Sequence, residues 1–186
     1  MKSLKSIGLM LAAALVFNAS FAQMGEKTVE VGGAAMYPSK NIVENAVNSK
    51  DHTTLVAAVQ AAGLVETLQS AGPFTVFAPT NAAFGMLPKG TVEMLLMAEN
   101  KAKLTGILTY HVVSGRLGTK ELDERIKKGS GNAELTTVAG GKLWVSKKNG
   151  NYWLKDENGG MAQITISNVY QSNGVIHVID HVVLPK

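Results

Sequence analysis

The sequence predicts an α+β fold, with helices in the first half of the domain and strands in the second. Up to about residue 129, apolar side chains mostly recur three or four positions apart, which is helical spacing. After residue 132, short runs alternate between apolar and polar residues and are separated by Asn-Gly and Gly-Gly turns. Helices and strands in separate runs are typical of α+β folds, whereas alternating βαβ units would predict a parallel α/β sheet.

The N-terminus has the three-part pattern of a secretory signal peptide. Lys2 and Lys5 form a positive start, residues 7–17 form an apolar run, and small residues follow as far as Ala22. The run is shorter than the roughly 20 residues of a membrane-spanning helix, and it lacks the polar alternation of a buried N-terminal helix. We therefore predict a signal peptide over residues 1–22 and a secreted or periplasmic protein.

Composition excludes several classes of function. The chain has no cysteine, which rules out thiol catalysis and cysteine-based metal sites. The net charge of +4 falls to about +2 when the two signal-peptide lysines are removed. The basic pairs at 127–128 and 147–148 are too short for the basic stripe of a nucleic-acid-binding protein. We expect no nucleic-acid partner and no membrane insertion.

The remaining sequence predicts one domain preceded by a short arm. Residues 23–38 are rich in glycine and include only a brief Thr-Val-Glu-Val run, so we predict an N-terminal arm. From Ser39 to the C-terminus the pattern continues without a linker or an internal repeat. The predicted domain therefore covers residues 39–186.

The first half of this domain predicts short helices around one strand and one extended segment. Ser39 and Asp51 are candidate N-caps of the first two helices, and Gly63 is a candidate C-cap. A strand follows, and Pro79 ends it because proline lacks the donor that a ladder needs. Thr80 or Asn81 can cap the next helix. The predicted elements are helices near 39–47, 51–63, 64–70, 80–87, 91–108 and 119–129, with strands at 74–78 and 110–113.

The second half predicts an antiparallel meander. Asn149-Gly150 between two alternating runs is a strong signal for a tight hairpin. Asn173-Gly174 predicts a turn before a long β-branched run at the C-terminus. The predicted strands are 133–138, 142–148, 152–156, 163–168 and 175–184.

No motif in the sequence predicts catalysis. It contains neither the Gly-x-Ser-x-Gly elbow of a hydrolase nor a glycine-rich phosphate loop. His177 and His181 have the spacing of helical metal ligands, but the β-branched surroundings predict a strand, on which four residues span roughly 13 Å. We therefore predict structural histidines, and a hydrogen-bonded structural role for His111 as well. We expect no catalytic residue, no cofactor and no metal.

Aromatic and methionine side chains are the candidates for binding. Trp144, Tyr152 and Trp153 cluster around the predicted Asn-Gly hairpin. Because Tyr152 and Trp153 point to opposite faces of their strand, at least one aromatic side chain faces solvent and could contact a partner, and the alternative is cross-strand packing of the hairpin. Met86, Met94 and Met97 lie close together and could form an adaptable apolar surface, or ordinary core. The sequence leaves both alternatives open.

Three segments, in order, resemble the fasciclin (FAS1) domain family. Residues 72–84 are similar to the first signature block of that family, and residues 173–185 are similar to the second. Between them, Leu108-Thr-Tyr-His-Val-Val-Ser-Gly115 resembles the Tyr-His motif. The resemblance covers the chain from Ser39 to the C-terminus.

The resemblance implies a β-wedge packed with short helices and an exported, non-enzymatic module for cell adhesion or binding to extracellular matrix or the envelope. Its partner would be a cell-surface or matrix protein or a polysaccharide. The Tyr-His motif is associated with integrin binding in animal members, so Tyr110 and His111 join Trp153 as possible partner-binding residues. Some family members bind carotenoids, which makes a carrier of an apolar small molecule, such as a carotenoid or lipid, the alternative. The structural motif residues are Phe77, Pro79, Thr80, Asn81, Phe84, His111, Asn173, Gly174, His177 and Asp180.

Overall fold

The computed structural model describes residues 27–186, so the predicted signal peptide at 1–22 lies outside the described residues. The helices are short and follow the predicted order. They are α1 Ile42–Ala46, α2 Thr53–Ala62, α3 Val65–Gln69, α4 Asn81–Gly85, α5 Thr91–Leu96, α6 Lys101–Tyr110 and α7 Thr119–Lys128, with single 3₁₀ turns at Lys50–His52 and Ala98–Asn100.

The strands form a hairpin and one large sheet. The hairpin pairs β1 Val29–Val31 with β2 Ala34–Met36. The sheet has the order β4-β3-β9-β8-β7-β6-β5, and its only parallel pair within residues 27–186 is β3 with β9. Its strands are β3 Phe74–Pro79, β4 Val112–Ser114, β5 Asn132–Thr136, β6 Lys142–Lys148, β7 Asn151–Lys155, β8 Met161–Gln171 and β9 Gly174–Ile179. Helices before the meander give the predicted α+β fold.

Two apolar cores lie on either side of the central strands. In β3, Val76 and Ala78 face the first core, which is filled mainly from α1, α2 and α6, whereas Phe77 faces the second. The second core lies inside the curled meander and is covered by Leu122 of α7. Both faces of β3 and β9 are therefore buried, which agrees with their unbroken apolar sequences.

The hairpin at residues 29–36 lies within the predicted arm. Val31 and Met36 are buried in the first core, so this part of the chain contributes apolar area to the domain. The predicted boundaries at 23–38 and 39–186 stay predictions. In residues 27–186, no helix combines the length and apolar character that crossing a membrane requires.

Two predicted helix caps are wrong. Asn41, not Ser39, caps α1: its Oδ1 accepts the N–H groups of Val43 and Glu44 at 3.0 Å, and Glu44 accepts the Asn41 N–H in return. Asp51 lies in the 3₁₀ turn rather than capping α2. The N–H of Thr54 in the first turn of α2 is instead bound by Asn81 Oδ1, which belongs to α4. A cap supplied by a distant segment has no local sequence signal.

Two predicted strands also differ from the structure. Tyr110 ends α6 and His111 is its C-cap, so the extended chain begins only at Val112. The final strand stops at Ile179 rather than Leu184. Beyond it, Val183 and Leu184 donate their N–H groups to the side chains of His111 and Asp156 instead of to a strand. Side-chain acceptors thus replace the ladder that the β-branched run would otherwise continue.

Candidate functional site

Both tryptophans of the chain lie on one solvent-facing side of the meander. In β6 and β7 the burial alternates, with Leu143, Val145 and Leu154 pointing into the second core and Trp144 and Trp153 half-buried on the other side. We call this side the tryptophan face. Its members are Asn132, Glu134, Thr136, Lys142, Trp144, Ser146, Lys148, Asn151, Trp153, Lys155, Met161 and Gln163.

The strand register places the two indoles next to each other. Trp153 lies opposite Ser146 on one side and Gln163 on the other, and Trp144 lies opposite Lys155. Because Trp144 precedes Ser146 by two positions, it is the diagonal neighbour of Trp153. Diagonal neighbours on one face have Cα atoms about 7–8 Å apart, within reach of aromatic side chains. The two indoles are therefore neighbours on the same face, and we call this pair the aromatic platform.

Charge on the tryptophan face is predominantly positive. Lys142 Nζ lies 2.8 Å from Glu134 Oε1 at the β5–β6 edge. This lysine, and the indole of Trp144 to a smaller degree, hold the pKa of Glu134 below its ordinary value. Among residues 27–186, Lys148 and Lys155 have no carboxylate within 4 Å. Two uncompensated cations thus flank the aromatic platform.

A shallow groove of about 290 Å³ opens at the hairpin end of this face. It is lined by Lys148, Asn149, Asn151, Trp153 and Met161. Asn149 has a positive φ of 52°, as the tight Asn-Gly turn requires, and this turn sets the register that brings Asn151 opposite Lys148. The groove therefore combines one aromatic ring, two amides and an ammonium group.

A second candidate site is an apolar cavity inside the first core. It has a volume of about 120 Å³ and lies between the helices α1–α3 and strands β3 and β9. Val43, Val56 and Val59 line it and are half-exposed, and the lining residues Gln60, Thr67 and Val138 are exposed, so the cavity reaches the surface. The proposed methionine surface is not part of it: Met86, Met94 and Met97 are 61%, 39% and 52% exposed on and around α4 and α5, and none lines the cavity.

His52 and His111 are the two histidines in the wall of this cavity, and His52 is the one with an unpaired ring nitrogen. Its Nδ1 lies 2.9 Å from Ser49 Oγ. Its Nε2 is buried and has no hydrogen-bond partner of normal geometry. Among the described residues, it is the one buried side-chain nitrogen or oxygen atom of this kind. Burial lowers the pKa of His52, while the nearby Ala78 backbone and the charge of Asp51 oppose this shift. The wall therefore presents a neutral imidazole at neutral pH.

Residues Tyr110 and His111 lie in the interior, with 0% and 2% of their surface exposed. Nδ1 of His111 lies 2.8 Å from the carbonyl oxygen of Ile107, and Nε2 accepts the N–H of Val183. Burial lowers the pKa of His111 to about 4, against the raising effects of Ile107 and Asp156. The neutral ring therefore ties the end of α6 to the C-terminal segment.

Tyr110 makes a similar connection at the other end of the meander. Its hydroxyl donates to the Lys142 carbonyl at 2.6 Å and accepts the N–H of Glu157 at 3.2 Å. Burial is the main cause that raises its pKa, to about 12. The hydroxyl is thus a neutral structural group.

His177 belongs to the same buried layer. Its ring stacks on Phe77 with centroids 5.7 Å apart, across the parallel β3–β9 pair. Nε2 lies 2.7 Å from the Leu117 carbonyl, and Nδ1 accepts the N–H of Asn168 at 3.4 Å. Burial lowers the pKa of His177. No group of histidine and carboxylate side chains in residues 27–186 has the arrangement to hold a metal ion.

The two signature blocks meet at Asn173 and Gly174. Asn173 accepts the Ile42 N–H and donates to the carbonyls of Leu68 and Ser70, so one side chain joins α1, α3 and the start of β9. A Cβ at Gly174 would collide with the carbonyl oxygen of Phe74. The turn therefore admits only glycine at this position without a shift of the backbone.

The other motif residues also hold elements together. Thr80 caps α4 by accepting the Ala83 N–H at 3.2 Å, and Asn81 donates to the carbonyl of Lys50 and the hydroxyl of Thr53. Asp180 accepts the N–H of Gln163 at 2.7 Å. Pro79 closes the parallel pairing of β3, opposite Ile179, and Phe84 is buried in the first core.

The Fasciclin domain family profile matches residues 50–185. The chain belongs to the fasciclin domain family. It is 46% identical over 160 residues to the protein sll1483 of Synechocystis, covering 86% of this chain and 82% of that one. It is also 33% identical over 162 residues to the cell surface glycolipoprotein MPB83 of Mycobacterium bovis, covering 83% of this chain and 64% of that one.

A solved structure supports the fold. The FAS1 domain pair of the insect cell adhesion molecule Fasciclin I superposes with a TM-score of 0.70 at 18% identity, over 86% of this chain. This chain spans 58% of the length of that domain pair. The resemblance inferred from the three sequence blocks and the α+β wedge are both confirmed.

Within this fasciclin domain, the sequence-predicted binding residues separate into two groups. Tyr110 and His111 need correction as residues that bind a partner at the surface, because both rings are buried in the interior. Trp153 is half-exposed and stays a candidate. In the described part of the chain the His111 ring bonds with backbone groups and not with the polar residues Thr80 and Asn81 at the start of α4.

Sequence reasoning placed Trp144 near the hairpin but did not assign it to the same face as Trp153. The signal was present: Trp144 and Trp153 flank a two-residue Asn-Gly turn, and positions equally distant from such a turn pair across the hairpin. Counting from the turn gives Ser146 opposite Trp153 and puts both tryptophans on the same face. His52 had no comparable signal, because its burial depends on packing between α2 and β3.

Proposed function

We propose that this fasciclin domain is an exported, adhesion-type binding module that contacts the cell surface, envelope or matrix through its tryptophan face. The observation that carries the proposal is the outward placement of both tryptophans on one rigid sheet. Exposed aromatic side chains in a polar surround are typical anchors of binding surfaces. The names of relatives as a cell surface protein and a cell adhesion molecule support the same function.

We further propose that the module acts by binding and not by catalysis. Three of its four histidines, His52, His111 and His177, are buried, and burial lowers the pKa of each. The fourth, His181, lies beside Asp180 on the surface. Within the described chain, neither of these two side chains is hydrogen-bonded to a serine hydroxyl. This arrangement supports structural roles for the histidines.

An attachment assay tests the proposal. Host cells that lack the gene would be complemented with the wild type, with Trp144→Ala/Trp153→Ala, or with Met86→Ala/Met97→Ala as a matched apolar control on a different surface. We expect the tryptophan variant to attach and aggregate like the deletion strain, while the methionine variant behaves like the wild type. Normal attachment by the deletion strain, or by the tryptophan variant at equal protein level, would contradict the proposal.

The apolar cavity favours a second candidate function, the binding of a small apolar ligand. Its volume of about 120 Å³ is similar to the roughly 150 Å³ of an engineered cavity that binds benzene. It would therefore enclose the end of a lipid chain or part of a carotenoid, and the rest of a long ligand would extend out of the cavity. His52 could donate or accept one hydrogen bond.

Extraction of protein purified from its own host tests this second function. We expect mass spectrometry of the organic extract to show a stoichiometric apolar compound, or absorption to show a pigment. Ala46 lines the cavity, so the larger side chain of Ala46→Phe should fill it and remove the compound. Ala57→Phe lies on the exposed side of α2 and should retain the compound. Colourless, lipid-free wild-type protein would exclude a carrier function.

A further inference from the structure

We propose that the ligand of the tryptophan face is an acidic polysaccharide. This inference rests on the proposed adhesion function and narrows its partner to one chemical class. It follows from three features of the face: the paired indoles, the polar groups around them, and the two uncompensated lysines.

The paired indoles suit a chain of sugar rings. Each pyranose has an apolar C–H face that packs against an aromatic ring, while its hydroxyl groups remain at the edges. Trp144 and Trp153 are diagonal neighbours on adjacent strands, so successive sugars of one chain can lie against both. Because strands β6 and β7 are joined by a two-residue turn and backed by the second core, the platform is preorganised and loses little entropy on binding.

The groups that surround the indoles match the edges of a sugar. Asn151 and Gln163 offer amide donors and acceptors, and Ser146 offers a hydroxyl, each directly opposite or two positions from Trp153. The groove beside Trp153 adds Asn149 at the hairpin tip. Amides and hydroxyls can exchange hydrogen bonds with sugar hydroxyls as both donors and acceptors.

The polar surround of the tryptophans favours a polysaccharide over a protein partner. Outward positions of β5–β8 between residues 132 and 163 carry no leucine, isoleucine, valine, phenylalanine or arginine. The tryptophans and Met161 are residue types that protein–protein interfaces also favour, but lysine is depleted at the core of such interfaces and arginine is enriched there. Lysines, amides and a hydroxyl surround the tryptophans of this face, which fits a hydroxyl-rich ligand better.

The charge of the face selects an acidic chain. Lys148 and Lys155 lie on either side of Trp153 along the β6–β7 pair and have no carboxylate within 4 Å among the described residues. The carboxylates of uronic acid units in a chain stacked on the indoles would come close to these ammonium groups. Attraction between them would be screened by salt, with a Debye length of about 8 Å at physiological ionic strength.

Tryptophan fluorescence tests the inference directly, because Trp144 and Trp153 are the only tryptophans of the chain. The purified protein would be titrated with polygalacturonate and, in parallel, with neutral hydroxyethylcellulose. We expect a saturable change in emission with polygalacturonate, weakened by added salt, and a much weaker response to the neutral polymer. Equal responses to both polymers, or no response to polygalacturonate, would overturn the proposal that the ligand is an acidic polysaccharide.

Charge variants distinguish binding at the tryptophan face from attraction to the net positive charge of the protein. Lys148→Glu/Lys155→Glu keeps both tryptophans as reporters and should weaken binding at least about tenfold. Lys127→Glu/Lys128→Glu makes the same change in net charge at the exposed end of α7 and should weaken it less than about threefold. Equal weakening by both pairs would contradict a site on the tryptophan face.

The attachment assay keeps the two proposals distinguishable. If Trp144→Ala/Trp153→Ala cells fail to attach but polygalacturonate does not bind, the polysaccharide inference is wrong and the adhesion function stands. If attachment is normal in these cells, the adhesion function fails whatever the polymer does. Unchanged melting temperatures of the variants would show that they are folded.

Discussion

The Tyr-His segment and the β6–β7 hairpin differ in where they place their aromatic groups. Tyr110 and His111 belong to a segment that resembles a family motif, yet both rings are buried and bound to backbone groups. Trp144 and Trp153 lie outside the three family-like blocks, yet they face solvent. The difference teaches that the recognisable motif of this domain maintains its packing, while the surface available for binding is carried by a hairpin without a motif.

The largest expected effect is that of Phe77→Ala. Phe77 is fully buried, stacks on His177 and belongs to the second core, so its removal leaves a cavity between β3 and the meander. We expect a loss of about 3–5 kcal/mol in the free energy of unfolding, measured by chemical denaturation. Phe77→Leu is the control and should lose clearly less. An equal loss in both variants would mean that ring volume is not what this layer requires.

Acid should destabilise the domain through its buried histidines. The folded pKa of His111 is about 4, below its ordinary value of 6.5, and the pKa of His177 is lowered in the same direction. The folded state therefore binds fewer protons, so stability is complete above about pH 6.5 and falls as the pH drops towards 4. For His111 the slope would approach about 1.4 kcal/mol per pH unit.

Denaturation between pH 7 and pH 4 checks this prediction. His111→Asn removes one titrating ring and should have a shallower pH dependence than the wild type. Met86→Ala changes an exposed residue without a titrating group and should keep the wild-type slope. A flat wild-type profile over this range would show that the buried rings do not control acid stability.

His111→Ala should have an intermediate effect at neutral pH. It leaves the Val183 N–H and the Ile107 carbonyl without their ring partner inside the core, which costs roughly 1–3 kcal/mol. Thermal melting should show a clear decrease for this variant and almost none for the matched surface variant His181→Ala. An unchanged melting temperature combined with abolished attachment would instead place His111 in a recognition site.

The smallest expected effect on stability is that of Trp153→Ala. Its ring is half-exposed and lies on the face opposite the core. The free energy of unfolding should therefore fall by about 1 kcal/mol or less, and the melting temperature should change little. Retention on envelope or matrix material should nevertheless fall strongly. Tyr152→Ala is the contrasting variant, since Tyr152 faces the second core and should lose stability instead.

Local sequence signals predicted much of this fold. The Asn149-Gly150 turn, the alternation in β6 and β7 and the Gly63 C-cap with its positive φ of 72° all act over a few residues, and the structure agrees with them. The predicted caps at Ser39 and Asp51 failed where a better or more distant side chain took over, as Asn81 did for α2. The strand end at Ile179 failed because side chains of His111 and Asp156 accept the following N–H groups.

The candidate site was less predictable than the fold. Trp153 could be assigned to solvent only as one of two alternatives, because burial of a hairpin face depends on which side packs against a core. That core is formed by Leu122 of α7, Phe77 of β3 and Ile179 of β9, which are distant in sequence. The same dependence explains why the burial of Tyr110 and the cavity beside His52 required the structure.

Iodide quenching of intrinsic fluorescence, with and without bound envelope or matrix material, tests the central claim most directly. Trp144 and Trp153 supply all of the tryptophan emission, and both lie on the tryptophan face. If this face is the contact surface, the quenching constant should fall markedly when the protein is retained on the material. Retention of the protein with an unchanged quenching constant would contradict the account, because the contact would then lie elsewhere on the domain.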